Sequence, residues 1–401
     1  MRSVDLPEAL PQGARLLHIG MPKTGTTALQ GAVDAARDRL EELGVHNVST
    51  NAHELEVAMV AAGTLPGYYP DWRRERWERR WDELAEQFRT SSARCTFWSS
   101  EALSQAGPDR IAHLAERLGP DTRIMVTVRP LARLLVSQWQ EILRRRGTEP
   151  LDPWLRKHFD AVRPDGEVTV EWDRVMPQIH RFSLRRVVAE WGAVFGEENL
   201  VLVVADAHDR TRNLRSFEAL TGVPEILRAP VLDNASLPYP EAEMLRTFNR
   251  AYTDRGGEHG EWMLAIGTLA RAGLRELALE AEPYPIRPPR WAAELCNDYA
   301  ADWILAAEES DATVVGDLSA LLVDPLDYPE HSDTPTRVSI ETAGRMADVL
   351  VAAMEQHAAN RRTLLRTELG QYGGREMLAE LRRRAAQRAR RAVRRDTAGT
   401  D

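Results

Sequence analysis

The sequence predicts an α/β fold with a central parallel sheet flanked by helices, followed by a helical C-terminal portion. Three observations carry this. Apolar runs near residues 16, 45, 96, 124 and 200 alternate with segments of helical periodicity. One of them leads through a glycine- and threonine-rich turn into a helix, in the stretch LLHIGMPKTGTTALQ from Leu16 to Gln30. Another, TRIMVTV from Thr122 to Val128, is a continuous apolar run of the kind buried on both faces of a parallel sheet.

In the first stretch Leu16, Leu17 and Ile19 supply a strand. Leu29, Val33, Ala36, Leu40 and Leu43 then recur at helical spacing until Gly44. A turn so placed aims free backbone N–H groups and the positive end of a helix dipole at one spot, which suits an anion. Lys23 adds a charge, and Thr24, Thr26 and Thr27 add hydroxyls. The expected ligand is a phosphate or something close to it.

The position of the lysine narrows the choice. In a nucleotide-hydrolase loop, G-x-x-x-x-G-K-[ST], the lysine follows the second glycine and the next hydroxyl holds magnesium. Here Gly20 and Gly25 have that separation, but Thr26 stands at the lysine position and Lys23 precedes Gly25. That argues against the ATP–magnesium arrangement. The segment PKTGTT, Pro22 to Thr27, resembles the 5′-phosphosulfate loop of sulfotransferases that use 3′-phosphoadenosine 5′-phosphosulfate (PAPS). The bland alternative is a chance glycine turn between a strand and a helix.

Val45 to Ser49 reads as a second strand, and Ala52 to Ala62 as a short helix that His53 begins. Residues 68–90 form a helix with Trp77, Trp81, Leu84 and Phe88 on one stripe. Arg73, Arg74, Arg76, Arg79 and Arg80 occupy its other faces. Acidic neighbours offset most of that charge, so a packing stripe with a solvated face is the simplest account. The other is a wall of an acceptor site for an anionic or sugar substrate. Arg94 to Trp98 is the next strand, followed by Ser99-Ser100-Glu101-Ala102-Leu103. Ligands collect at such strand ends in open parallel sheets, which places Glu101 on the rim of Lys23. The phrase SSEAL also resembles one in bacterial sulfotransferases; as a plain helix start, a serine would be the N-cap with Glu101 in the first turn.

The strand Thr122–Val128 ends in Arg129-Pro130, and the helix LARLLVSQWQEILRRRG follows, closed by Gly147. Sulfotransferases carry an arginine at the end of such a strand and a serine eight residues later, together gripping the 3′-phosphate. Arg129 and Ser137 have that spacing. An arginine can fork onto a phosphate, and a serine adds a neutral donor. The resemblance therefore implies a P-loop-like sulfotransferase fold with Lys23, Thr24, Gly25, Thr26, Thr27, Arg129 and Ser137 on the nucleotide. It implies no metal, and adenosine 3′,5′-bisphosphate as product.

Beyond these motifs come a helix over Leu184–Phe195, a strand over Asn199–Ala205 and a helix over Asn213–Leu220. The loop DNASLPYP, Asp233 to Pro240, lies where the family closes over the nucleotide, but the R-x-x-G-x-x-G-x-W element of many sulfotransferases is missing. Residues 241–282 are helical with a break at Gly256-Gly257, PYPIRPPRW at 283–291 reads as a fixed connector, and helices cover 292–309 and about 338–369. Residues 1–369 thus make one domain, with motif resemblance over 14–225 and a helical extension over 226–369. A basic tail over 370–401 follows.

Composition fits a globular chain: 401 residues, 43% hydrophobic and 28% charged, which suffices for a large core. No run of eighteen apolar residues is present, and MRSVDLPEALPQGAR lacks an apolar signal core. With only two cysteines, a cytoplasmic protein is expected. The net charge of −9 conceals nine arginines against two glutamates in 375–395, so the body is more acidic than the whole. An acidic body is a poor general binder of nucleic acid, whose backbone needs a basic face, so no nucleic-acid partner is expected. A helix over the arginine-rich segment would suit the inner face of an anionic membrane or an acidic partner; the alternative is a solvated tail.

A sulfuryl group moves in line between two oxygens, so positioning and charge stabilisation should dominate. Lys23 is the cation expected at the leaving oxygen, and a hydroxyl-bearing acceptor (a carbohydrate, glycolipid or small metabolite) needs a base. The candidates are Glu101 and His53, since the family uses either residue type. Histidine titrates near neutrality unaided, whereas a carboxylate needs burial or a neighbouring anion. Glu101 follows the firmer strand and is the expected base, with His53 holding the acceptor or replacing it. Two rival classes stand beside this: a nucleotide-triphosphate kinase or hydrolase, and a nucleotide-binding protein without turnover.

Overall fold

Seven strands lie side by side, every neighbouring pair parallel, in a computed structural model that describes residues 2–67, 69, 71–169, 178–205, 209, 211–228, 236–280 and 284–370. They are β1 (Arg2–Val4), β2 (Ala14–His18), β3 (Val45–Asn47), β4 (Cys95–Ser99), β5 (Arg123–Val128), β6 (Leu200–Val204) and β7 (Thr313–Val315). Their order is β1-β7-β6-β5-β2-β4-β3. The central strands are apolar because both faces are covered: β4 and β6 are buried along their whole length, and β5 is buried from Ile124 to Val128.

Alternate side chains feed two cores. Leu17, Ile124, Val126 and Leu202 pack with the helices Leu131–Leu143, Leu184–Phe195 and Arg290–Glu309. Leu16, Met125, Val201 and Val203 pack with Thr26–Ala35 and Arg212–Thr221 on the other face. The helices that follow β2 and β5 therefore cover opposite faces. The chain leaving β2 heads toward β3 and the chain leaving β5 heads toward β6, on opposite sides of the sheet. Between two such strands a crevice opens at their carboxyl ends, the usual ligand site of an open parallel sheet.

Several boundaries differ from the sequence reading. The strands β1 and β7 were not expected, because three residues are too few to carry a period; β7 is ordered by pairing with β6, and β1 by pairing with β7. The helix after the glycine turn is two helices, Thr26–Ala35 and Arg37–Glu42, broken at Ala36. His53 does not begin a helix. That helix runs Leu55–Ala62 from a cap at Glu54, and His53 sits in the preceding loop. On the helix Asp71–Thr90, Trp81, Leu84 and Phe88 are buried, and Arg73, Arg76 and Arg79 are exposed. Arg80 departs from the solvated pattern, pairing with Glu54 at 2.8 Å and donating to Val48 O at 2.8 Å.

The helical C-terminal portion comprises Tyr239–Asp254, shorter turns to Glu280, Arg290–Glu309 and the long Ile340–Gly370. The arginine-rich tail over 375–395 and residues 233–235 of the expected lid loop lie outside the described residues. Among the described residues, no helix is long and apolar enough to cross a membrane.

Candidate functional site

The turn after β2 is held by backbone that few residues adopt. Gly20 has φ 26°, Gly25 has φ 94°, and Lys23, with a full side chain, has φ 70°. A Cβ on Gly20 would stand 2.4 Å from Thr26 Cγ2 and 3.0 Å from His18 Nε2, so only glycine fits there. The left-handed conformation of Lys23 costs roughly 1–2 kcal/mol and needs support from its surroundings. Arg129 supplies part of it, donating from Nη1 to Lys23 O at 2.8 Å. Asn213 donates to Thr24 O at 3.2 Å, and Met21 N donates to Thr127 O at 3.0 Å, fastening the turn to the end of β5.

Gly25 caps the helix Thr26–Ala35, whose first turn has no acidic residue. Its leading N–H groups have no intrahelical partner and stay available to an anion. Thr27 and Gly25 are exposed there, while Thr26 is buried. Thr24 differs from the expectation of a ligand donor: its hydroxyl is buried and donates to Met21 O at 2.6 Å, so its proton is engaged within the turn.

Lys23 Nζ reaches Glu141 Oε2 at 3.1 Å. Glu141 lies one helical turn beyond Ser137 and is also approached by Arg145 at 3.3 Å, Arg271 at 3.9 Å and Arg144 at 4.0 Å. Burial alone would raise its carboxyl; Lys23 and the arginines outweigh that and hold it below the usual range. Burial draws the Lys23 ammonium down, against the pull of Glu141. One carboxylate thus answers four cations, which leaves the surroundings electropositive.

Arg129 and Ser137 come together in the lining of one cavity of about 710 Å³, within the size range of small-molecule sites. Its other polar walls are Arg133, Gln140 and Arg287 together with Asp324, Asp327 and Tyr328, and Arg287 belongs to the proline-rich connector. Ser236 lines the cavity, and Leu237 N donates to Gln140 Oε1 at 3.0 Å, so the described end of the lid loop also borders it. Arg129 therefore touches both regions, binding the Lys23 carbonyl and facing the cavity.

The two base candidates are neighbours. His53 Nε2 lies 3.5 Å from Glu101 Oε2 and 3.1 Å from Ser100 Oγ. Ser100 caps the short helix Glu101–Gln105, so Glu101 is both a first-turn residue and part of this cluster. Gln30 Nε2 donates to Glu101 Oε2 at 3.2 Å, tying it to the helix after the turn. Beneath them, His18 is fully buried on β2, with Nδ1 at 2.8 Å from Ser99 Oγ and Nε2 at 3.1 Å from Thr127 Oγ1. Burial lowers its pKa to about 4, with Glu101 opposing, so it is neutral at pH 7 and cross-links the ends of β4 and β5.

No protein-family model and no curated protein matches this chain.

Sequence reasoning missed Glu141, Gln30, His18 and Asn213. Glu141 had a signal, since four residues from Ser137 put both on one helical face. His18 was a lone polar residue in an apolar strand. The contacts of Gln30 and Asn213 are tertiary and leave no local trace.

Proposed function

We propose that the chain is a PAPS-dependent sulfotransferase with a P-loop-like sulfotransferase fold, moving a sulfuryl group to an acceptor hydroxyl. The observation that carries this reading is the position of Arg129. It holds the Lys23 carbonyl on one side and faces the cavity shared with Ser137 on the other. A nucleotide bearing phosphates at both 5′ and 3′ positions needs two anion sites so linked.

In this reading the free N–H groups at Gly25–Thr27 and Lys23 receive the 5′-phosphosulfate, and Arg129 with Ser137 receives the 3′-phosphate. Val136, Ile286 and Leu322 give the same cavity an apolar wall suited to a purine. The acceptor oxygen forms a bond to sulfur as the bond from sulfur to the bridging phosphate oxygen breaks. The electron pair stays on that oxygen, where Lys23 offsets the charge. The acceptor proton passes to Glu101, beside which His53 stands ready to orient the hydroxyl.

The experiment is calorimetry on the purified protein. Adenosine 3′,5′-bisphosphate is expected to bind roughly 30–150-fold more tightly than AMP, because charge-assisted bonds to the second phosphate are worth about 2–3 kcal/mol. Arg129→Ala should erase most of that preference. Equal affinity for AMP and the bisphosphate would remove the basis of the reading.

A further inference from the structure

We propose that Arg181 receives an oxyanion carried by the acceptor, so that the substrate is a hydroxyl compound already bearing a carboxylate, phosphate or sulfate group. This rests on the sulfotransferase reading for the word acceptor, and on geometry for the site. Arg181 ends the short helix Gln178–Arg181, which packs against Leu131–Leu143 and Leu151–Phe159. Its guanidinium lies within electrostatic reach of Glu101, the expected base, and of Glu141, the carboxylate paired with Lys23. Among the described residues it makes no hydrogen bond or ion pair, and its Nε is shut off from solvent without a partner.

Neither carboxylate is free to satisfy it. Glu141 already answers Lys23, Arg144, Arg145 and Arg271, and Glu101 accepts from Gln30 beside His53. Burial draws the guanidinium down to about 10 and Arg145 adds to this, so it is still a cation at neutral pH. An arginine that only supports the fold looks different. Arg186, five residues on, donates to Ser104 O and pairs with Glu190. Gln178 Oε1 and His180 Nδ1, on the same short helix, are likewise buried without partners. The two anionic ends of the donor are assigned to Lys23 with the helix terminus and to Arg129 with Ser137. A further unanswered cation, half-buried with its Nε shut off and within electrostatic reach of Glu101, therefore points to charge on the other substrate.

The test uses inorganic phosphate as probe, titrated by calorimetry into full-length protein saturated with adenosine 3′,5′-bisphosphate. Wild type should take up phosphate, Arg181→Gln should bind it at least about 10-fold more weakly, and Arg181→Lys should fall between, since it keeps the charge and loses the fork. Affinity for the bisphosphate should stay unchanged in both variants, which a collapsed site would not allow. No phosphate uptake by the loaded wild type, or equal uptake by wild type and Arg181→Gln, overturns the proposal. If Arg181→Gln does not fold, equal uptake by wild type and Arg181→Lys overturns it. Should the bisphosphate itself not bind, the donor reading fails. The same titration without nucleotide then decides Arg181 alone: a tenfold loss supports an oxyanion site, and no change rejects it.

Discussion

Lys23→Ala should lose about 10³-fold or more in turnover, with the affinity for adenosine 3′,5′-bisphosphate falling by less than about tenfold. The asymmetry follows from where charge develops. In the proposed complex the N–H groups of the helix terminus and the Arg129–Ser137 pair share the work of binding, whereas the leaving oxygen becomes charged only in transit. The substitution is also structurally mild. Alanine meets the same backbone demand at φ 70° that lysine already meets. Glu141 is not left as an orphaned charge either, because Arg145, Arg271 and Arg144 remain within 4.0 Å. Lys23→Arg should not restore the rate, since a planar fork replaces a point charge on a tight turn. Parallel losses of binding and turnover would make Lys23 a general anchor instead.

Glu101→Gln should lose at least ~100-fold in turnover with nucleotide affinity kept, as expected when a general base is replaced by its neutral isostere. The side-chain shape and the contact with Gln30 survive the change, so the loss would report on proton transfer. His53→Asn should cost less. Because His53 Nε2 is only 3.5 Å from Glu101, the proposed reaction puts both on one hydroxyl, and their effects should not add. The double variant should be little worse than Glu101→Gln alone. Near-normal turnover in Glu101→Gln together with an inactive His53→Asn would transfer the role of base to His53.

The parts of this account legible in sequence are those with local causes. β2, β4, β5 and β6 announce themselves because burial on both faces demands short, largely apolar runs, and the turn at Gly20–Gly25 because its conformation demands glycine. Lys23, Arg129 and Ser137 were visible because the motifs that hold them resemble those of sulfotransferases in residue type and spacing. Other features depend on contacts far apart in the chain. The strands β1 and β7 are too short to show a period. The helix expected from residue 52 starts at Leu55, where Glu54 is held by Arg80 from another helix. Within QEILRRRG, Glu141 reads as an ordinary surface ion-pair former until the fold brings Lys23 to it. Arg181 sits in a four-residue helix with no periodicity to mark it. Its significance comes from what surrounds it and what fails to bond it.

The central claim is transfer from PAPS, and sulfur-labelled donor tests it most directly. The purified protein is incubated with labelled PAPS and a metabolite extract, without added magnesium, and the label is followed. The account predicts that label moves to a hydroxyl compound while adenosine 3′,5′-bisphosphate is released in equal amount, and that Lys23→Ala abolishes both. Label that stays on the donor, in a protein that instead consumes ATP only when magnesium is supplied, would contradict it.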